Sequence, residues 1–126
     1  MKDDKLWKVF SEFIRLRDSK DGFGNCCTCG KLIHYKEGHA GHFISRRHKA
    51  TKFDEMNVHL QCVSCNTFHN GRQFEYSLFL DKTYGPGTAE KLLQKSRQTY
   101  KMTSKEIDEL TKEYKEKVKH WFLLLS

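Results

Sequence analysis

The sequence contains no apolar run that approaches the ~20 residues a helix needs to cross a bilayer. Its first five residues, Met-Lys-Asp-Asp-Lys, are followed by no apolar segment of the kind found in a secretory signal peptide. No internal repeat and no low-complexity tract is present. These absences argue against a membrane-spanning protein and a repeat protein, and we expect the chain to act in the cytoplasm.

Acidic residues are missing from one long segment, because none occurs between Glu37 and Asp54. The whole chain of 126 residues carries 23 Lys and Arg against 16 Asp and Glu, which gives a net charge of +7. Such a balance favours a polyanionic partner, most simply nucleic acid, since phosphate contacts release counterions. The basic side chains of the acid-free segment that we predict to contact DNA are Arg46, Arg47, Lys49 and Lys52.

The five cysteines are better explained by metal binding than by disulfides, which are rare in the cytoplasm. Four of them form two Cys-x-x-Cys pairs, Cys26 with Cys29 and Cys62 with Cys65. Each such turn places two thiolates at a separation suited to one tetrahedral ion, and two turns complete a closed site. We predict a structural zinc ion on these four residues, with Cys27 left over because Cys27-x-Cys29 has poorer spacing.

Residues 4–19 predict an amphipathic helix, because apolar side chains recur there at helical spacing. Asp3 or Asp4 can cap its start, and an Asp-Gly pair follows its end. We interpret its apolar side as facing the core. Arg15 and Arg17, on its polar side, could contact phosphate.

Helical periodicity disappears between residues 25 and 62, where Cys, His and Gly become dense. We expect short strands at residues 42–45 and 58–61, joined by the basic loop. The chain becomes helical again after Cys65, with Asn70-Gly71 bending or breaking that helix near its start. The predicted organisation is a single domain over residues 1–126, with a helix at 4–19, a core at 25–84 and C-terminal helices at 88–123.

The C-terminal part begins after Gly85-Pro86-Gly87, a strong helix-breaking sequence. A short helix is expected from residue 88 to about residue 100. The next helix starts with a capping box from Thr103 to Glu106. Its apolar stripe consists of Ile107, Leu110, Tyr114, Val118 and Trp121. This stripe, with Phe122 and Leu123–Leu125 at its end, is equally suited to covering the core of one chain and to forming an interface between two copies.

Histidines and asparagines cluster between and just after the cysteine pairs, including His39, His42, Asn57, Asn66 and His69. Phosphodiester hydrolysis needs a base that activates water and a cation that stabilises the charged transition state. Neutral imidazole is a base near pH 7. Asn and His side chains can hold a divalent ion weakly and leave positions for phosphate and water. The set therefore indicates a hydrolytic site.

The order of these residues resembles the HNH nuclease motif: a strand with the base, a loop, an Asn, a second strand and a metal-binding helix. The placement of Asn66 directly after Cys65 is similar to that in phage recombination endonuclease VII. Longer stretches resemble the phage lambda NinG (Rap) recombination proteins and their prophage relatives. These stretches are residues 10–18, 27–31, 40–46, 53–55, 57–62, 65–66 and 84–85. The block Ala-Gly-His-Phe-Ile-Ser at residues 40–45 is the most specific of them.

The resemblance implies a role for individual residues. His42 would be the general base, Asn57 would order the loop between the strands, and Asn66 would bind a catalytic Mg²⁺ or Mn²⁺. We add Arg46 as the residue that grips the scissile phosphate. This chain has Gly41 where many HNH enzymes have a metal-binding Asp. The other ligand must then come from His39, Asp54, His59 or His69, with a preference for His69 because residues i and i+3 share a helical face.

We therefore predict an α+β, mainly helical fold, in which a zinc-stapled ββα-metal (HNH) core is flanked by an N-terminal helix and C-terminal helices. The function implied by the resemblance is a structure-specific endonuclease for branched DNA, such as Holliday junctions and D-loops. Two alternatives remain: a zinc module that binds nucleic acid without cutting it, and an HNH nickase of restriction or homing type. Symmetric junction cleavage needs two active sites, so a homodimer is expected.

Overall fold

We describe residues 3–125 of the protein from a computed structural model. Within this range the chain forms five α-helices, five short strands and one π-helical turn. In chain order they are α1 (Asp4–Arg17), β1 (Ser19–Lys20), β2 (Phe23–Asn25), β3 (Leu32–His34), β4 (His39–His42), α2 (Lys49–Lys52), β5 (Val58–Gln61), the π-turn (Ser64–Phe68), α3 (Gln73–Tyr84), α4 (Thr88–Ser96) and α5 (Ser104–Leu125). No helix of this part of the chain is long and apolar enough to cross a membrane.

Helix α1 begins at Asp4 as predicted and ends at Arg17, two residues before the predicted end. Asp3 occupies the N-cap position, but its side chain does not cap the helix. Its carboxylate instead accepts a hydrogen bond from Lys52 Nζ at 2.8 Å. The chain leaves α1 into a β1–β2 hairpin, whose turn has positive φ at Asp21 and Gly22. That hairpin explains why the helix is shorter than expected.

Two small antiparallel sheets follow α1. The first has the order β1-β2-β3 and was not predicted, because its strands are only two or three residues long. The second pairs β4 with β5, in a register that places His39 opposite Gln61 and His42 opposite Val58. The prediction of a strand at residues 42–45 was therefore wrong by three residues. The ladder ends after His42 because the Asn57 side chain takes over the backbone groups of Ile44.

The main core lies between α1, α5 and the β4–β5 pair. Its buried members are Leu6, Phe10, Phe13, Ile14, Leu16, Tyr35, Ala40, Val58, Tyr114 and Val118. Tyr114 meets the ring of Phe10 edge-on at 4.9 Å, a favourable arrangement of two aromatic rings. The apolar stripe of α5 from Ile107 to Trp121 packs on α1 and covers the core of the chain itself, whereas Phe122, Leu123 and Leu124 at its end are exposed.

A second core joins the loop after β4 to α3 and α4. Its buried members are Phe43, Ile44, Tyr76, Leu80, Ala89 and Leu92. The predicted break at Asn70-Gly71 is confirmed, because Asn70, Gly71 and Arg72 all have positive φ and α3 starts only at Gln73. The short helix α4 ends at Ser96, not near residue 100.

The start of α5 follows the predicted capping box. Glu106 N donates to Thr103 Oγ1 at 3.1 Å, and Thr103 N donates to Glu106 Oε1 at 3.1 Å. Two backbone donors at the helix start are thereby satisfied by side chains. The capping box fixes where α5 begins and so sets the register of its apolar stripe against α1.

Candidate metal centre and adjoining cavity

Four cysteines meet in space as the sequence predicts. The Sγ atoms of Cys26, Cys29, Cys62 and Cys65 all lie within 4.8 Å of one another. Cys29 Sγ and Cys62 Sγ are 3.8 Å apart, which equals the ~3.8 Å edge of a tetrahedron with Zn–S bonds of ~2.3 Å. Three of the four cysteines are buried. The cluster has the donor set and dimensions to hold a metal ion such as zinc.

The backbone around the cluster is shaped for metal binding. Gly30 has a φ of +80°, which lets the chain turn back directly after Cys29. Cys65 N donates to Cys62 Sγ at 3.4 Å, and Arg72 Nε donates to Cys65 Sγ at 3.2 Å. Such N–H···S bonds stabilise thiolates, since they favour the charged form.

The thiols of the cluster differ in the direction in which their pKa values are shifted. Burial raises the pKa of Cys26, but hydrogen bonds from the backbone of Cys62 and Cys29 and from Thr28 outweigh it and lower that pKa overall. The pKa of Cys62 is raised by burial and by its neighbouring thiols. Four thiolates this close repel one another, so the cluster can be fully ionised only around a positive ion.

Cys27 lies outside the cluster of four thiols, so it is not one of the candidate zinc ligands. Its side chain packs against the second core, and burial raises its pKa far above the ordinary thiol value. A thiol kept protonated in this way is a poor metal ligand. Its backbone N–H donates to Leu60 O at 3.0 Å and so ties the first cysteine turn to β5.

A cavity of about 870 Å³ opens beside the β4–β5 pair. Its wall includes the side chains of three arginines and three histidines, namely Arg15, Arg46, Arg97, His39, His42 and His48. None of the described residues that line it carries a carboxylate. A concave surface of this size that is lined by cationic donors and lacks acids is suited to an anion, above all a phosphate group.

His42 lies at the end of β4 and lines this cavity. Its Nε2 is 3.0 Å from Lys52 O. A carbonyl only accepts, so Nε2 must carry the proton and Nδ1 carries the lone pair. Trp7 of α1 stacks on the imidazole at 4.9 Å with an angle of 25° between the rings.

The electrostatic surroundings keep His42 neutral. Burial is the main reason that its pKa falls to about 4, and the charges of Arg46 and Lys52 act in the same direction, against the hydrogen bond to Lys52 O. A histidine with this pKa is almost entirely neutral at pH 7. The geometry therefore presents a neutral imidazole with a fixed tautomer at the wall of a basic cavity.

Asn57 is fully buried and holds the loop between β4 and β5 in shape. Its Oδ1 accepts from Ile44 N at 2.8 Å, and its Nδ2 donates to Ile44 O at 3.0 Å and to Thr51 O at 3.1 Å. The loop carries Lys52, whose carbonyl orients His42. Asn57 thus acts on His42 through the backbone and does not line the cavity.

Among the candidate metal ligands, only His39 and Asn66 line the cavity. Their side chains touch, with Asn66 Nδ2 2.9 Å from His39 Nδ1. His69, the preferred ligand, does not line the cavity, because residues 64–68 form a π-turn closed by the bond from His69 N to Ser64 O. This wider turn no longer places residues i and i+3 on one face, and His69 is exposed away from the cavity.

Asp54 and His59, the two other candidate ligands, have other partners. Asp54 is paired with Lys95 at 2.6 Å. His59 is buried, its Nε2 is 2.7 Å from Tyr84 Oη, and burial lowers its pKa to about 4. Neither residue lines the cavity.

The four predicted DNA contacts divide into two groups. Arg46, Arg47 and Lys49 are exposed, and the Arg46 guanidinium lies 5.2 Å from the centre of the Trp7 ring. Lys52 is the exception, since it is only 4% exposed and forms a 2.8 Å ion pair with Asp3. We withdraw Lys52 as a DNA contact, because its ammonium group is bound inside the protein.

Several cavity residues have no counterpart in the sequence-based prediction, among them Trp7, His48 and Arg97. Trp7 contacts both His42 and Arg46, and Arg97 directly follows α4. Trp7 looked like one more apolar residue of an amphipathic helix, and Arg97 is separated from the histidine cluster by two helices. Arg15, noted as a phosphate contact, does line the cavity, whereas Arg17 donates to the backbone of Glu55 and Val58.

Comparison with known proteins gives one consistent family. The family model described as Bacteriophage Lambda NinG protein matches residues 2–121. The chain is 30% identical over 113 residues to protein ninG of Salmonella phage P22. The aligned region covers 89% of this chain and 53% of that protein. It is 29% identical over 113 residues to protein ninG of Escherichia phage lambda, and the aligned region covers 89% of this chain and 53% of that protein. Protein ninG of Escherichia phage 933W is also 29% identical over 113 residues, covering 89% and 54%.

The chain spans about half the length of the curated relatives it matches. No solved structure matches it. The family assignment therefore rests on sequence similarity.

Proposed function

Because the chain belongs to the NinG family of phage proteins, we propose that it is a metal-dependent endonuclease of the HNH type that cuts branched DNA during phage or prophage recombination. One observation carries this proposal. His42 is a neutral imidazole of fixed tautomer in an acid-free cavity that contains three arginines. Binding of DNA alone would not need an oriented base of depressed pKa.

The chain order around the cavity supports assignment to the ββα-metal class. His42 ends the first strand of the pair, Asn57 directly precedes the second strand, and Asn66 lies in the helical turn that follows. In an HNH nuclease these three positions carry the base, the loop-ordering Asn and a metal ligand. The cysteine cluster brackets the same segment and would hold a structural zinc ion that takes no part in the reaction.

The protein's own side chains would carry out the hydrolytic step in the following way. His42 Nδ1 removes a proton from water as the water oxygen bonds to phosphorus and the ester P–O bond opposite it breaks. The leaving oxygen takes its proton from solvent. Arg46 and Arg97 would neutralise phosphate oxygens, since both line the cavity.

A catalytic divalent ion would be held by His39 and Asn66. In this structure the Asn66 amide nitrogen donates to His39 Nδ1 at 2.9 Å, so the Asn66 amide would have to turn its Oδ1 towards an ion, because an amide nitrogen is not a metal ligand. Such an ion would stabilise negative charge on the phosphate and the leaving oxygen. With no carboxylate on the cavity wall, the donor set favours Mn²⁺ over Mg²⁺, because imidazole suits transition metals better.

The substrate and assembly are also proposals. Branched DNA is proposed from the family resemblance, and the net charge of +7 suits any polyanion. A homodimer would supply the two active sites that a symmetric four-way junction needs. The exposed apolar side chains at the end of α5, Phe122, Leu123 and Leu124, are candidates for its interface.

The test uses zinc-loaded protein, a synthetic four-way junction and a linear duplex of the same sequence, with Mn²⁺ or Mg²⁺. We expect faster cleavage of the junction, and His42→Ala should lower cleavage by ~10²–10⁴-fold while junction binding and zinc content stay unchanged. Binding of both substrates without cleavage of either would refute the enzyme and favour a binding module. Equal cleavage of both would indicate a nuclease that does not select branched DNA.

A further inference from the structure

A second concave surface, which we call the apolar groove, lies beside the start of α3 and along α4. It encloses about 410 Å³, and its apolar lining consists of Phe43, Ile44, Phe74, Ala89 and Leu93. Phe74 is 71% exposed and Leu93 is 43% exposed. Single exposed apolar side chains are ordinary on a protein surface, but exposed apolar groups gathered in one groove are a feature of binding sites.

The apolar groove is continuous with the cavity that contains His42. Four residues line both, namely Phe43, Ile44, Gln73 and Leu93. A ligand whose phosphate lies among the arginines of the cavity can therefore extend directly into the groove. This continuity favours an occupant that belongs to the same molecule as the phosphate in the cavity.

The chemistry of the apolar groove suits a nucleobase and not a phosphate. No Lys or Arg is found among the described residues that line it, and the Glu90 carboxylate would repel a phosphate. The exposed ring of Phe74 can stack on a base, since every base has a π-face. Gln73 and Glu90 are exposed polar groups of the same lining, and both can form hydrogen bonds with the edges of bases.

A base can enter such a groove most easily where the DNA is not fully stacked. Taking a base out of an intact duplex costs free energy, and this cost is smallest for a base that is already unpaired or single-stranded. A branch point interrupts the stacking of successive base pairs and so offers bases at low cost. A groove that captures them binds branched DNA more tightly than linear DNA.

We propose that the apolar groove binds a base that is unstacked at a DNA branch point, with Phe74 as the stacking residue, and that it thereby selects branched over linear DNA. This inference rests on the proposed function, since it gives the branched substrate of that function a second contact beside the cavity. The other possible occupant is a second copy of the chain, and the test below separates the two.

The proposal is tested by the dissociation constants of a synthetic four-way junction and of a linear duplex of the same sequence. Zinc-loaded protein is used without Mn²⁺ or Mg²⁺, so that the DNA stays uncut. The variants are Phe74→Ala and Phe74→Trp. Phe23→Ala is the matched control, because Phe23 is a 50% exposed ring of β2 that lines neither the cavity nor the groove. Zinc content, Tm and oligomeric state are measured for every variant.

We expect Phe74→Ala to weaken junction binding at least ~5-fold, as the loss of one stacked base does, and to leave duplex binding unchanged. Phe74→Trp should keep the preference for the junction, because an indole also stacks on bases. Phe23→Ala should change neither constant. In addition, a junction that carries 5-iodouracil at the branch point should crosslink to Phe74 of the natural protein on irradiation, as read by mass spectrometry. The crosslink does not depend on the folding of any variant.

The proposal is overturned if folded Phe74→Ala binds the junction as tightly as the natural protein does, or if it loses affinity for junction and duplex equally. A crosslink to other residues and not to Phe74 would also contradict it. Dissociation of a dimer in Phe74→Ala would show instead that a second copy covers the groove. Failure of the proposed function gives a different result, because the natural protein would then prefer the junction and crosslink to it but would not cleave it when Mn²⁺ is added.

Discussion

Replacement of Trp7 by alanine is expected to change the pH dependence of DNA cleavage. The indole stacks on His42 at 4.9 Å and thus shields the imidazole from water. Burial is the main cause of the low pKa of His42, which is about 4. Without the indole, water reaches the ring, and the pKa should rise towards the ordinary value of ~6.5.

The size of the effect follows from the fraction of neutral base. At pH 5.5 a histidine of pKa about 4 is ~97% neutral, and one of pKa ~6.5 is ~10% neutral. At pH 7.5 both are more than ~90% neutral. The natural protein should therefore cleave at nearly the same rate at both pH values. Trp7→Ala should be up to ~10-fold slower at pH 5.5 than at pH 7.5.

The assay is single-turnover cleavage of a labelled four-way junction between pH 5.5 and pH 8 with saturating Mn²⁺. Trp7→Phe is the matched control, since it keeps an aromatic ring over His42 and should show a smaller shift. Zinc content is measured at each pH to exclude loss of the structural metal. If Trp7→Ala keeps the flat profile of the natural protein, the indole does not set the pKa of His42 and our account of its neutrality is wrong.

Three further predictions concern zinc content, stability and DNA affinity. Cys65→Ser should reduce zinc content and lower Tm by ~10 °C or more, because it removes a ligand of the structural zinc ion. Cys27→Ser should leave zinc content unchanged, because Cys27 lies outside the cluster. Loss of zinc from Cys27→Ser would show that this thiol is a zinc ligand. Lys52→Ala should cost ~1–3 kcal/mol of folding free energy in chemical denaturation, because it removes a buried side chain and leaves the partly buried Asp3 carboxylate without its partner. Lys49→Ala should instead weaken DNA binding and reduce its salt dependence with no loss of stability, because Lys49 is exposed. If Lys49→Ala lowers stability and Lys52→Ala weakens DNA binding without lowering stability, our assignment of the two lysines is wrong.

The parts of the fold that the sequence predicts well are those set by local signals. The capping box at Thr103 places the start of α5, and the interruption at Asn70-Gly71 places the start of α3. The two Cys-x-x-Cys pairs predict the metal cluster because spacing alone brings two thiols together. The three-stranded sheet was missed because strands of two or three residues carry no period-2 pattern.

The errors in the site come from tertiary contacts that no local pattern encodes. Lys52 is in a basic loop, but the ion pair with Asp3 of the N-terminal segment turns it inward. His69 was preferred on the assumption of an α-helix, and the π-turn changes the face on which it lies. Trp7 was missed because stacking on His42 joins two residues far apart in the chain.

The contact from His42 Nε2 to Lys52 O has a consequence for mutagenesis. The group that fixes the tautomer of the base belongs to the main chain, so no side-chain substitution at position 52 deletes it. An alanine scan would report the ion pair and the charge of Lys52 and would miss the orienting atom. Asn57 is the nearest side chain through which a substitution can act, because it holds Thr51 O and Ile44 in the same loop. The tautomer of His42 is thus insensitive to the identity of residue 52 and sensitive to the shape of the loop, whereas its pKa also depends on the charge of Lys52.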